Sequence, residues 1–151
     1  MNDASGVDVH GPIDFVVIEF TGNRLTGRTA QELVNLVERG IIWVYDLLIV
    51  GKAEDGSVYG LEVAPGSQDQ VGGFADLSWA RSGLLSEDDM REAAGAMRPG
   101  TVAALIVYEN AWAIPFVAAA REAGGELIAG GRIPAQDVMA ALESLELEAT
   151  P

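Results

Sequence analysis

Ile41-Ile42-Trp43-Val44-Tyr45-Asp46-Leu47-Leu48-Ile49-Val50-Gly51-Lys52-Ala53-Glu54-Asp55-Gly56-Ser57-Val58-Tyr59-Gly60-Leu61-Glu62-Val63-Ala64 is the stretch that decides the fold. Two β-prone runs flank Glu54-Asp55-Gly56-Ser57. β-Branched and aromatic residues suit a pleated surface, and Asp-Gly supplies the positive φ of a tight turn, so the stretch reads as a hairpin. The first run is almost wholly apolar, which expects cover on both faces or a subunit contact. The second alternates, with Val58, Gly60 and Glu62 on one face and Tyr59, Leu61 and Val63 on the other.

Upstream, Pro12 leads into a strand over 13–20, closed by Thr21-Gly22-Asn23. A helix follows, capped by Thr26 or Thr29, with Ala30, Leu33, Val34, Leu36 and Val37 as its stripe and Gly40 past its end. Downstream, residues 65–83 are rich in Gly, Ser, Asp and Gln, and Phe74, Leu77 and Trp79 pin them to the body. Ser86 caps a helix whose acidic first turn suits the dipole and whose buried face is Met90, Ala93, Ala94 and Met97. Residues 101–109 read as a buried strand. Asn110 caps a helix through Ala123, with Pro115 shifting its start or kinking it. Residues 126–129 read as a short strand. Pro134 opens a last helix that buries Val138, Met139, Ala141, Leu142 and Leu145.

Strand, helix and strand thus recur over 13–50 and 101–129. The expected class is α+β: a ferredoxin-like sandwich of two split β-α-β units, with an extra hairpin strand and two added helices. Residues 1–11 and 147–151 are expected as flexible tails around a single domain, 12–146.

The 151 residues suffice for one domain with a sizeable core. A net charge of −14, from 23 acidic and 9 basic residues, argues against a nucleic-acid surface and against an anionic membrane. The absence of cysteine excludes disulfides and thiol chemistry, and the single histidine, His10, leaves little material for a triad. The start of the chain has no signal-peptide pattern, and no apolar run is long enough to span a bilayer, so a cytoplasmic location without membrane insertion is expected.

The phrases Gly11-Pro12-Ile13-Asp14-Phe15-Val16-Val17-Ile18-Glu19-Phe20, Val44-Tyr45-Asp46-Leu47-Leu48-Ile49-Val50, Tyr108-Glu109-Asn110-Ala111-Trp112-Ala113 and Ala123-Gly124-Gly125-Glu126-Leu127 resemble an uncharacterised actinobacterial family, a domain of unknown function. That group is distantly similar to a glycine-zipper, membrane-associated family of unknown function, whose glycine-rich inserting segment follows the hairpin. Here Ser67 to Ser82 takes that place and is too polar to insert. The resemblance implies a fold and brings no catalytic residues with it.

Glu19 and Glu109 close the first strand of each unit. Side-by-side parallel strands would set both carboxylates at one end of the sheet, where a pair shares a proton or binds a hard cation such as Mg²⁺, Ca²⁺ or Mn²⁺. Asn23, Asn110 and Trp112 would join that ligand or cation site. The plainer reading makes both glutamates strand-end residues facing water or paired with Arg24 or Arg132. Asp14 and Asp46 interrupt apolar strands and read as outward-facing edge or turn residues, or else as ligand or interface groups. The glycines form no phosphate loop, although Gly22-Asn23-Arg24 has the position of an anion-holding helix start. No cofactor is expected.

The function expected from these residues is a non-enzymatic, self-assembling protein, with Ile42, Trp43, Val44, Tyr45 and Leu48 on a homo-oligomer interface. The alternatives are a small-ligand binding or sensing module and a carboxylate- or metal-dependent enzyme using Glu19 and Glu109.

Overall fold

The computed structural model describes residues 9–21, Leu25 and residues 28–149. The readings of Gly22, Asn23, Arg24, Thr26 and Gly27, and of the tails at 1–8 and 150–151, lie outside the described residues. The element order is β1 (Ile13–Phe20), α1 (Arg28–Glu38), β2 (Trp43–Lys52), β3 (Val58–Leu61), α2 (Gln68–Val71) with a 3-10 helix (Gly72–Leu77), α3 (Glu87–Ala96), β4 (Thr101–Glu109), a 3-10 turn (Ala111–Ala113), α4 (Ile114–Glu122) and α5 (Ala135–Ala149).

The four strands form one sheet in the order β1-β4-β2-β3, and every neighbouring pair is antiparallel. β1 and β2 both run against β4, so β1-α1-β2 is a split β-α-β unit with β4 inserted between its strands. The hairpin reverses the chain and α3 carries it back, which brings β4 in against the direction of β1. The expectation of parallel first strands is corrected accordingly. The second unit stays open, because residues 126–129 form no strand.

The hairpin turn is built as its residues dictate. Lys52 pairs with Val58. Gly56, at φ 90°, donates its N–H to the Ala53 carbonyl at 2.9 Å. The Asp55 carboxylate accepts from both the Ser57 N–H, at 2.9 Å, and the Ser57 hydroxyl, at 2.7 Å. These bonds occupy the polar groups of the turn and fix the register.

The sheet is covered on both faces, as two interior strands without polar alternation require. On one face Val44, Leu47 and Ile49 of β2 and Val102, Ala104 and Ile106 of β4 pack with Ala30 of α1 and with Val71, Phe74, Ala75 and Leu77. On the other, Val50, Ala103 and Leu105 meet Ala93, Ala94 and Met97. Ser86 caps α3 in a reciprocal capping box with Asp89. Thr29 lies inside α1, so it is not the cap of that helix. β2 is an interior strand, so most of the expected interface lies inside the chain: Ile42 and Val44 are buried, Tyr45 and Leu48 are half-buried, and of the five interface candidates Trp43 alone is exposed.

Residues 65–83 are ordered through two different anchors. Phe74 is 1% exposed and meets the edge of Phe20 with ring centroids 6.4 Å apart. Trp79 stays half in solvent but lies on Trp43, centroids 4.7 Å apart.

The largest departure concerns the C-terminal third. Val138, Met139, Leu142 and Leu145, expected in the core, are all exposed, and every residue over 121–148 is exposed. Amphipathic spacing establishes that a helix has a face to cover; it does not specify which surface covers it.

The two anchors of the 65–83 segment differ in kind, and truncation separates them. Phe74→Ala is expected to cost about 3–5 kcal/mol, the range for emptying a buried aromatic site. Trp79→Ala, losing one half-exposed ring pair, is expected to cost about 1 kcal/mol. Urea unfolding midpoints of the two variants give the comparison; equal losses refute it.

Candidate functional site

β4 ends at the first residue of β1, and this junction gathers most of the chain's organised polar groups. Ile13 pairs with Glu109 on one side of β4 and Trp43 pairs with it on the other. Glu109 is only 4% exposed, so its charge needs donors. They come from two distant segments of the chain. Tyr45 donates its hydroxyl to Oε1 at 2.6 Å, the Gly11 N–H donates to Oε2 at 2.7 Å, and His10 Nδ1 lies 3.3 Å from Oε2. A register shift in β2 between Val44 and Asp46 brackets Tyr45, and a bulge of this kind re-aims a side chain. A Cβ on Gly11 would run into the Asn110 carbonyl, so glycine alone lets the backbone approach this closely.

Burial, the largest single influence, pushes the Glu109 carboxyl up. The hydrogen bonds from Tyr45 and Gly11, with His10 nearby, more than offset it and hold the group below its ordinary value. Tyr45 is raised in turn, first by its hydrogen bond to Glu109 and then by burial. The pair is therefore a carboxylate accepting from a neutral phenol at neutral pH. Gly11 is buried and bonded here, so it belongs to the body and not to the N-terminal tail in which it was expected.

Next to Glu109, the Asn110 amide donates to the Pro12 carbonyl at 2.9 Å and to Asp14 Oδ2 at 3.0 Å. The Trp112 indole donates to Asn110 Oδ1 at 3.2 Å. Asn110 therefore does not cap α4 with its side chain; α4 starts at Ile114 with Pro115 in its first turn. Asp14, Tyr108, Asn110, Trp112 and Arg132 line an open pocket of about 650 Å³.

Glu19 is elsewhere. It pairs with Ala103, so the two glutamates share a face of the sheet but sit at its opposite ends. The run of β1 from position 13 to position 19 sets them on the order of 20 Å apart. The paired-carboxylate site is thereby corrected, and the antiparallel entry of β4 is the reason. Glu19 accepts from the Arg98 N–H at 2.7 Å and the Thr101 hydroxyl at 2.9 Å, with Arg98 Nε at 3.8 Å. The Arg98 backbone bond is the main cause of its lowered pKa, with the Thr101 bond next. Among the described residues its salt partner is Arg98 and not Arg132, while Arg24 lies outside the described residues. Asn23 lies outside the described residues.

Asp46, expected to face outward or else to serve as a ligand or interface group, is buried at 3% exposure. Its two oxygens accept from the Leu47 N–H at 3.0 Å and the Leu85 N–H at 2.8 Å, tying the approach to α3 onto β2. Among the described residues, no group of three His, Cys, Asp or Glu side chains is spaced to hold a metal ion. No described helix is long and apolar enough to cross a membrane.

Residues 9–150 match the model of a family of unknown function, DUF6325, and the chain belongs to that family. Nothing among curated proteins and nothing among solved structures matches it.

The Glu109 cluster carries a pH signature. Its folded-state pKa lies below the unfolded value of 4.5, so its contribution is fully present above that pH and is lost as pH falls through the folded value. Tyr45→Phe removes one donor to a buried charge and is expected to cost about 1.5–3 kcal/mol at pH 7. The deficit is expected to shrink as pH falls below 4.5 and through the folded value, where the carboxyl protonates. Denaturant titrations of both proteins across this range test it; a pH-independent deficit refutes the charged hydrogen bond.

Proposed function

We propose that the protein is a non-enzymatic, self-assembling protein that acts as a homo-oligomer. The observation that carries this reading is the amount of large apolar surface left open on one chain. β1 is a long sheet edge and presents Ile13, Phe15, Val17 and Ile18 to solvent, at 52%, 50%, 41% and 38% exposure. Further along, Phe116, Ile128, Ile133, Leu142 and Leu145 are more exposed still. An unpaired apolar edge is a template for another strand, and contiguous patches of this kind mark interaction surfaces. In this reading the ferredoxin-like sandwich is completed in the assembly, with residues 126–129 taking the free edge of β1.

The polar residues support the same conclusion. Glu109, Asn110, Asp14, Glu19 and Asp46 all have carboxylate or amide groups committed to backbone segments or to one another. These bonds hold chain segments in place and leave the groups poorly set to move a proton on a substrate.

A small-ligand module is the second reading, favoured by the pocket beside Trp112, whose indole is 61% exposed above Asn110. An indole face beside Arg132 and Asp14 suits a flat, polar-edged molecule.

Light scattering at micromolar concentration and physiological salt is expected to give a multiple of 15.9 kDa. Because each chain carries −14, assembly is expected to weaken at about 10 mM salt, where the Debye length reaches about 30 Å. A clean 15.9 kDa species at both salt concentrations overturns the reading.

A further inference from the structure

A groove of about 560 Å³ runs on the α1 face of the sheet, between α1 and the free-edge strand β1. Its walls are Leu33 and Leu36 of α1, Val16 and Ile18 of β1, and Ile106 and Tyr108 of β4. α1 and the 65–80 segment cover the rest of this face, so the groove is the unfilled half of a helix layer.

The same chain carries a helix without a seat. In α5, Val138, Ala141, Leu142 and Leu145 follow the i, i+3, i+4, i+7 spacing of one apolar stripe. Glu143 and Ser144 take the other side, while Asp137, Glu146 and Glu148 flank the stripe. All four stripe residues are exposed. The stripe from 138 to 145 rises about 11 Å along α5, and the groove's β1 wall, residues 16–18, spans about 10 Å, so stripe and groove are of similar length.

We infer that α5 of one copy seats its Val138–Leu142–Leu145 stripe in the α1–β1 groove of a second copy, and that the exchange is mutual. This rests on the self-assembly reading and names its contact. Stripe and groove are complementary in chemistry and length, lie on every copy, and are left apart within the single chain. A two-fold exchange covers both at once and closes on itself. A standard interface uses roughly 20–30 residues a side, which is the size of the exposed arm over 121–148.

The chain has no cysteine, so any disulfide reports only on introduced positions. Leu36→Cys chains co-expressed with Leu142→Cys chains carrying a different tag are expected to give a mixed disulfide dimer under mild oxidation. Leu33→Cys with Val138→Cys repeats the test with different side chains. Light scattering on the reduced samples reads self-assembly separately. Cross-linking only within a chain bearing both cysteines places α5 on its own groove and overturns the exchange, while an oligomeric mass leaves self-assembly standing. An oligomer in which neither pair closes moves the contact elsewhere and equally overturns the exchange. A single 15.9 kDa mass for the reduced wild-type chain overturns both.

Discussion

Everything in this molecule follows from the need of β4 to be covered on both faces. Thr101 to Val107 are buried without a break. Such a strand has no solvent side, so it cannot be an edge and cannot lie on a one-layer sheet. It is flanked by β1 and β2, roofed by α1 and the Val71–Leu77 segment, and floored by α3. Lys52 secures that floor: its ammonium donates to the Ala94 and Met97 carbonyls at 2.9 and 3.1 Å, at the end of α3 where helix carbonyls lack partners.

Burial of β4 also explains the polar chemistry at its two ends. Glu109 sits where the strand is still enclosed, so the chain must deliver donors to it. At the opposite end, Glu19 clamps the turn through Arg98 and Thr101 by which the chain enters β4. Each glutamate therefore locks one end of the central strand to a segment far away in sequence. Residues that resemble half of a catalytic pair, when read along the chain, are two separate fastenings of one strand.

Local features were legible in the sequence because their causes are local. The hairpin with Gly56, the Ser86 cap and the apolar run of β4 each follow from a few adjacent residues. Glu109, Asn110 and Trp112, singled out as candidates, do come together with Asp14, through bonds made within the β4 end and the start of β1. The partners of Glu109 were not legible, since His10, Gly11 and Tyr45 reach it across sequence distance and through a bulge that no composition signals. Asp46 misled for a related reason. Alternation placed it outward, but the same bulge and the Leu85 N–H give its charge a satisfied place inside. Strand direction escaped because it depends on counting reversals between elements rather than on any one of them.

The amphipathic stripe of α5 poses a different problem, one of address. Periodicity reports that Val138, Leu142 and Leu145 need an apolar neighbour, and it carries no information on whose surface supplies it. A monomer built on β4 has already closed the core around its two interior strands with α1, α3 and the 65–80 segment, which leaves the β1 side open. That side is also where the chain places an edge strand with Phe15 and Val17 in solvent. The acidic charge works against bringing two such chains together, but at physiological salt it acts over about 8 Å, whereas apolar burial acts at contact. Of the acidic residues of α5, Glu143 lies opposite the stripe and Asp137, Glu146 and Glu148 lie at its margins, where a rim position keeps a charge hydrated. Repulsion then limits where a second copy can approach without preventing it, and the groove walls of Leu33, Leu36, Val16, Ile18 and Ile106 carry no charge to oppose the approach.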